Sequence, residues 1–185
     1  MRRNHDFANL RLLLIGCGKM GSALLKGWFA KGLAPANVDV KDPSEPDWLQ
    51  PYVAQGLRLN PEGLRTYEII VVATKPQFIA SALESLAPNN THSAVILSVA
   101  AGVSLEQIET ALGREAAVVR AMPNTPAEIG QGMTCLVSNG VDTHKALALS
   151  GKLMSAVGAV EALDNEDQMH AVTGLSGSGP AYVFA

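Results

Sequence analysis

Apolar residues in this chain fall into two kinds of run, and their alternation sets out the architecture. Continuous apolar stretches at Leu12–Ile15, Ile69–Thr74 and Ala94–Ser98 suit strands buried on both faces, and Ala117–Ala121 and Met133–Val137 read as further strands. Between them apolar residues recur at helical spacing: Leu24, Leu25, Trp28 and Phe29; then Phe78, Ile79, Ala82, Leu83 and Leu86; then Ala146, Leu149, Leu153 and Val157, a helix that Thr143 is placed to cap. Ser104-Leu105-Glu106-Gln107 reads as a capping box opening a helix through Leu112. Smaller elements complete the pattern. Gly32 ends the first helix, Val38–Lys41 is a short strand, Trp48–Gln55 a helix with Pro51 in its first turn, Leu57–Leu59 a minor strand, and a last strand lies near Val160.

Strands alternating with helices predict an α/β fold built on a doubly wound, mostly parallel sheet over residues 10–164. Residues 1–9 are polar and read as a disordered leader. From 165 the pattern changes: Met169–Val172 is helical, Gly174–Gly179 is a run of small residues, and Pro180 opens a new helix, so 165–185 reads as the beginning of a second, helical domain.

The first strand runs into Gly16-Cys17-Gly18-Lys19-Met20-Gly21, the spacing G-x-G-x-x-G at a strand-to-helix turn. In a Rossmann-type sheet the first glycine allows the tight turn, the second lets the backbone approach a pyrophosphate, and the third brings helix and sheet together. Free amides at the helix start then face the phosphates.

Composition narrows the rest. With 48% hydrophobic and 17% charged residues the chain can form a core, and a net charge of −3 offers no basic footprint for nucleic acid. Cys17 and Cys135 form no pair or ligand cluster, which points to no metal and to a reducing cytoplasm, and no apolar stretch is long enough to span a membrane. No G-x-S-x-G, no H-E-x-x-H and no Lys-Ser/Thr ending to the glycine turn occurs.

Ligands of doubly wound sheets lie beyond the carboxyl ends of the strands. The segments there are Gly16–Gly21, Lys41–Ser44, Thr74–Gln77, Val99–Gly102 and Met122–Thr125, each short and rich in small or turn-forming residues. Asp42 stands 26 positions after Gly16, where a carboxylate accepts from the ribose 2′-OH of NAD and repels a 2′-phosphate. An Asp-Pro-Ser turn has the same appearance, and Lys41 and Ser44 offer groups to that phosphate, so NAD(H) and NADP(H) both remain open.

Several stretches resemble Δ1-pyrroline-5-carboxylate reductase: Ile15–Gly21, Ala73–Gln77, Ser98–Val103, Arg120–Pro126 and above all Ala171–Tyr182. The resemblance implies reduction of the cyclic imine 1-pyrroline-5-carboxylate to L-proline with NAD(P)H, by hydride transfer to the C=N carbon. It implies cofactor contacts from Ile15, Gly16, Cys17, Gly18, Lys19, Met20 and Gly21, from Ala73, Thr74, Lys75 and Pro76, and from Val99, Ala100 and Ala101. Met122, Pro123, Asn124 and Thr125 are implied at the nicotinamide and substrate end, with no catalytic side chain named. Members of that family also carry a helical dimerisation domain with a substrate-carboxylate loop, which implies a homo-oligomer. The sequence has no such loop by Ala185, so a non-catalytic dinucleotide-binding or interaction module is the alternative reading. A hydroxyl residue is common in the family at the position of Asp42.

Overall fold

The computed structural model describes residues 7, 10–86, 91 and 93–172. The Thr173–Tyr182 stretch and the expected helix at Pro180 lie outside them, as does most of the leader.

The four apolar residues of β1 (Leu12–Ile15) are all buried because the strand has neighbours on both edges and helices over both faces. It pairs in parallel with β2 (Val38–Lys41) on one side and β4 (Ile69–Val72) on the other. Among the described residues eight strands follow the spatial order β3-β2-β1-β4-β5-β6-β7-β8, with β3 at Arg58–Leu59, β5 at Val95–Ser98, β6 at Val118–Pro123, β7 at Gly132–Ser138 and β8 at Gly158–Ala162. The order reverses between β1 and β4, so the loops following these two strands diverge and leave a crevice.

Strand residues alternate between two cores. Leu12, Leu14, Ile69, Val71, Val95, Leu97 and Val119 pack with Leu24, Leu25 and Trp28 of α1 (Lys19–Ala30) and with Ala146, Leu153 and Met154 of a later helix (Thr143–Met154). On the opposite face Leu13, Ile15, Ile70, Val72 and Ile96 meet Ile79 and Leu83 (helix Ile79–Glu84) and Leu105 and Ile108 (helix Leu105–Leu112). In chain order the helices whose bounds fall among the described residues are α1, α2 (Gln50–Val53), α3 (Ile79–Glu84), α4 (Leu105–Leu112), α5 (Thr143–Met154) and α6 (Gln168–Val172). The Trp28 indole N–H donates to the Leu153 carbonyl at 3.0 Å, so the one polar atom of this large ring is satisfied and α1 is tied to α5.

The sheet is mostly parallel, as the alternation of strands and helices predicts; the β6–β7 pair is antiparallel, because residues 124–131 hold only a 3-10 turn (Thr125–Ile129), too little chain for a crossover. Several expectations need correction. Thr143 does not cap α5: it is the first helical residue, and the entry is a left-handed Asp142 with φ 46° and no side-chain cap. The Trp48–Gln55 helix is a 3-10 turn (Asp47–Leu49) followed by the single turn of α2. Phe78 precedes α3 and is 55% exposed instead of sharing the buried face of Ile79 and Leu83. Phe7 departs from the disordered-leader reading: its ring is buried in the first core, under the Lys152 ammonium at 5.5 Å from the centroid.

Asp39, in the middle of β2, is fully buried and receives Arg58, Arg65 and the Tyr67 hydroxyl. Burial works against its charge, but the hydrogen bonds from Arg58, Tyr67 and Arg65 outweigh that and hold its pKa below the ordinary value.

Candidate functional site

The glycine turn is built as its spacing predicts. Gly16 has φ +92°, and a Cβ there would lie 2.8 Å from the Ala73 carbonyl group. At Gly21 a Cβ would sit 2.1 Å from the Gly16 carbonyl oxygen, so α1 can start this close to the turn only with glycine there. Gly18 differs from both: nothing lies within 4 Å of the place its Cβ would take, and the open space belongs to a cleft of about 770 Å³. No side chain caps α1, and its first helical bond runs from the Ser22 N–H to the Gly18 carbonyl at 2.8 Å. The amides of Lys19, Met20 and Gly21 are therefore the unpaired donors of a helix start, with the positive end of the dipole behind them.

Cys17 contributes differently from its glycine neighbours. Its side chain is buried, its amide donates to Asp42 Oδ2 at 2.6 Å, and its carbonyl accepts from Ser22 Oγ at 2.7 Å. Burial pushes the thiol pKa up, with the Ser22 hydrogen bond acting the other way.

The cleft lies at the crevice between β1 and β4, lined by Ile15, Gly16 and Gly18, by Lys41–Ser44, by Asn60 and Pro61 after β3, by Ala73–Lys75 after β4, and by Phe78, Ser81, Ala82 and Ser85 from the α3 region. Of the residues expected from the sequence, it gathers Ile15, Gly16, Gly18, Asp42, Ala73, Thr74 and Lys75. Lys19 is exposed at the start of α1, Met20 packs half-buried against the first core, and Pro76 opens an exposed 3-10 turn. Val99 and Ala100 are buried and Ala101 exposed in the turn after β5. Met122 and Pro123 end β6, with Asn124 and Thr125 directly beyond. These last two segments are outside the cleft lining, yet β1, β4, β5 and β6 are mutually parallel, so all the turns stand along one edge of the sheet.

Nothing in the sequence pattern assigns Asn60, Pro61, Phe78, Ser81 or Ser85 to the site. Asn60 has φ 46°, and its side chain bridges Asp42 and Glu45, a role that depends on β3 lying beside β2. Phe78 had a signal that misled, since an aromatic at helical spacing from Ala82 reads as core.

Thr74 lines the same crevice as Gly18, and its Oγ1 is buried with no hydrogen-bond partner among the described residues. Beyond β6, Asn124 Oδ1 accepts from the Met133 N–H at 2.8 Å, which fixes which end of the amide is its oxygen. The Glu166 carboxylate accepts from the Leu105 N–H at 2.8 Å and from Arg120 at 2.7 Å, fastening the segment before α6 to the start of α4 and to β6. Among the described residues no three His, Cys, Asp or Glu side chains gather as a metal site, and no helix is long and apolar enough to cross a membrane.

An open glycine position, uncapped helix amides and an orphaned hydroxyl, all at the switch in strand order, fit a diphosphate-containing ligand. Together with the sheet order they define a dinucleotide-binding domain of the Rossmann class. Residues 11–102 match the family described as NADP oxidoreductase, coenzyme F420-dependent. Pyrroline-5-carboxylate reductase of Pseudomonas aeruginosa is 36% identical over 94% of the chain and 65% of its own length. A solved pyrroline-5-carboxylate reductase from Coxiella burnetii superposes with TM-score 0.85 at 33% identity, over 95% of this chain and 66% of that one. The Plasmodium falciparum pyrroline carboxylate reductase, solved with NADP bound, gives 0.80 at 27%, over 95% and 65%. The chain is thus similar to pyrroline-5-carboxylate reductases over nearly its whole length, and it spans about 65% of the length of the relatives it matches.

Proposed function

We propose that this chain supplies the NAD(P)H-binding part of a pyrroline-5-carboxylate reductase, which reduces 1-pyrroline-5-carboxylate to L-proline. Residues 10–164 are then the cofactor domain and 165–185 the start of a helical domain through which two copies associate in the cytoplasm. The observation that carries the reading is that the Gly16–Gly21 turn and the Met122–Thr125 turn share one edge of the sheet. A dinucleotide laid along that edge spans from the one to the other.

The reduced nicotinamide, when bound, supplies the hydride, and the protonated imine is already electrophilic at carbon, so the protein's task is positioning. The amides at the start of α1 hold the diphosphate, with Thr74 and Lys75 at the end of β4 as further donors. Buried Val99, Ala100 and Pro123 keep water from the nicotinamide end. Asn124, its oxygen held by the Met133 amide, turns its NH2 toward the carboxylate or carboxamide oxygen there. No histidine or cysteine is needed as an acid, because the proton is already on the imine nitrogen.

The test is loss of nicotinamide absorbance dependent on pyrroline-5-carboxylate, using protein expressed from its whole reading frame. Turnover supports the assignment; a folded dimer that binds NAD(P)H and oxidises none of it with this substrate would sink it.

A further inference from the structure

Resting on the dinucleotide reading, we propose that the corner formed by Asp42, Ser44 and Asn60 selects a ribose with a free 2′-hydroxyl, making NADH the preferred coenzyme over NADPH. A 2′-phosphate needs donors and positive charge, whereas a 2′-hydroxyl needs an acceptor. At this corner nearly every donor is already engaged within the protein.

Along the chain from β2, the Asp42 N–H goes to Asn60 Oδ1 at 2.9 Å, Pro43 has no N–H, and the Ser44 N–H goes to Asp42 Oδ1 at 2.8 Å. The Glu45 N–H reaches the Asp42 carbonyl at 3.4 Å. The Ser44 hydroxyl also donates to Asp42 Oδ1, so toward a ligand it presents only lone pairs. Both hydrogens of the Asn60 amide are engaged, by the Asp42 carbonyl at 2.9 Å and Glu45 Oε1 at 2.8 Å, and the Asn60 N–H bonds to the Val40 carbonyl at 2.7 Å. Pro61 offers none. Across the cleft the Ser81 and Ser85 hydroxyls turn back onto the carbonyls of Phe78 and Ala82, at 3.0 and 2.7 Å.

Acceptors remain. Asp42 Oδ1 takes two hydrogen bonds and Oδ2 only the one from the Cys17 N–H, which leaves a lone pair on Oδ2 for a hydroxyl. Lys41 is the cation lining this end of the cleft, and it shares the corner with the carboxylates of Asp42 and Glu45. A dianionic phosphate here meets an ionised carboxylate that is 7% exposed and cannot turn away without releasing the glycine turn.

Fluorescence titration of the chain with NADH and with NADPH tests this. The expected result is tighter NADH binding by about tenfold or more; equal or tighter NADPH binding overturns the proposal. Asp42→Ser frees the Ser44 and Cys17 donors and is expected to raise NADPH affinity while lowering that for NADH. An unchanged ratio in a variant that still melts cooperatively overturns it as well. Should Asp42→Ser not fold, Ser44→Ala decides: an unchanged ratio of NADH to NADPH affinity supports the donor argument, and a selective loss of NADPH binding overturns it. If the wild-type chain binds neither nucleotide, the dinucleotide reading itself falls.

Discussion

Gly18 and Asp39 show at the scale of single residues how much follows from what a side chain would meet. Because a Cβ at Gly18 points into open cleft and the backbone there has φ −68°, Gly18→Ala should leave stability within about 1 kcal/mol of wild type. Its NADH affinity should nonetheless fall about tenfold, roughly 1.4 kcal/mol, because the methyl group occupies the path of the diphosphate. Calorimetry beside a nucleotide titration checks both halves; loss of stability without loss of binding would contradict this account of the turn. At Asp39 the charge is buried among two partly exposed guanidinium groups and a phenol. Asp39→Asn should cost about 2–3 kcal/mol, at the low end for breaking a buried pair because Arg58 and Arg65 reach solvent. The pH dependence has a definite sign. Asp39 and Asp42 both have folded pKa values below their ordinary ones, so their stabilisation is fully present above about pH 4 and disappears as pH falls through the depressed values. Urea melts of Asp39→Asn from pH 6 down to pH 2 should therefore show a shallower loss of stability than wild type.

At the scale of elements, strands and helices differ in what holds them in register. The interior strands are legible from sequence because burial on both faces demands continuous apolar residues, and Leu12–Ile15 and Ile69–Val72 admit no other reading in a chain of this composition. α4 announces itself equally well: the Ser104 hydroxyl accepts from the Gln107 N–H at 3.2 Å while the Gln107 side chain accepts from the Ser104 N–H at 2.8 Å. Ser104→Ala should cost about 1 kcal/mol. Faster hydrogen exchange confined to the first turn of α4 is the expected signature, and unchanged exchange there would show that Glu166, bonded to the Leu105 N–H, caps the helix alone. What local pattern could not show was strand direction. Met133–Val137 reads as a strand in either sense, and the choice fell to the length of chain linking it to β6.

For the whole molecule, the prediction concerns linkage between ligand and fold. A dinucleotide gripping β1, β2 and β4 together binds only the folded sheet, so NADH at a hundred times its dissociation constant should stabilise by about 2.7 kcal/mol. In a chain of this size that raises the melting temperature by roughly 5–10 °C. Absence of any shift at saturating NADH would show that the cleft between β1 and β4 is not the binding site. The sequence by itself determined the α/β alternation, the two-sided burial of the central strands and the conformation of the glycine turn. Each of these is a demand made by neighbouring residues on one another through backbone sterics and the exclusion of apolar surface from water. Only the tertiary structure decided what Asp39, Asp42 and Asn60 do. Apart from those that Ser44 makes to Asp42, the bonds that satisfy them join residues 15 to 28 positions apart, and a polar group's role is set by whichever distant partner the packed sheet delivers to it.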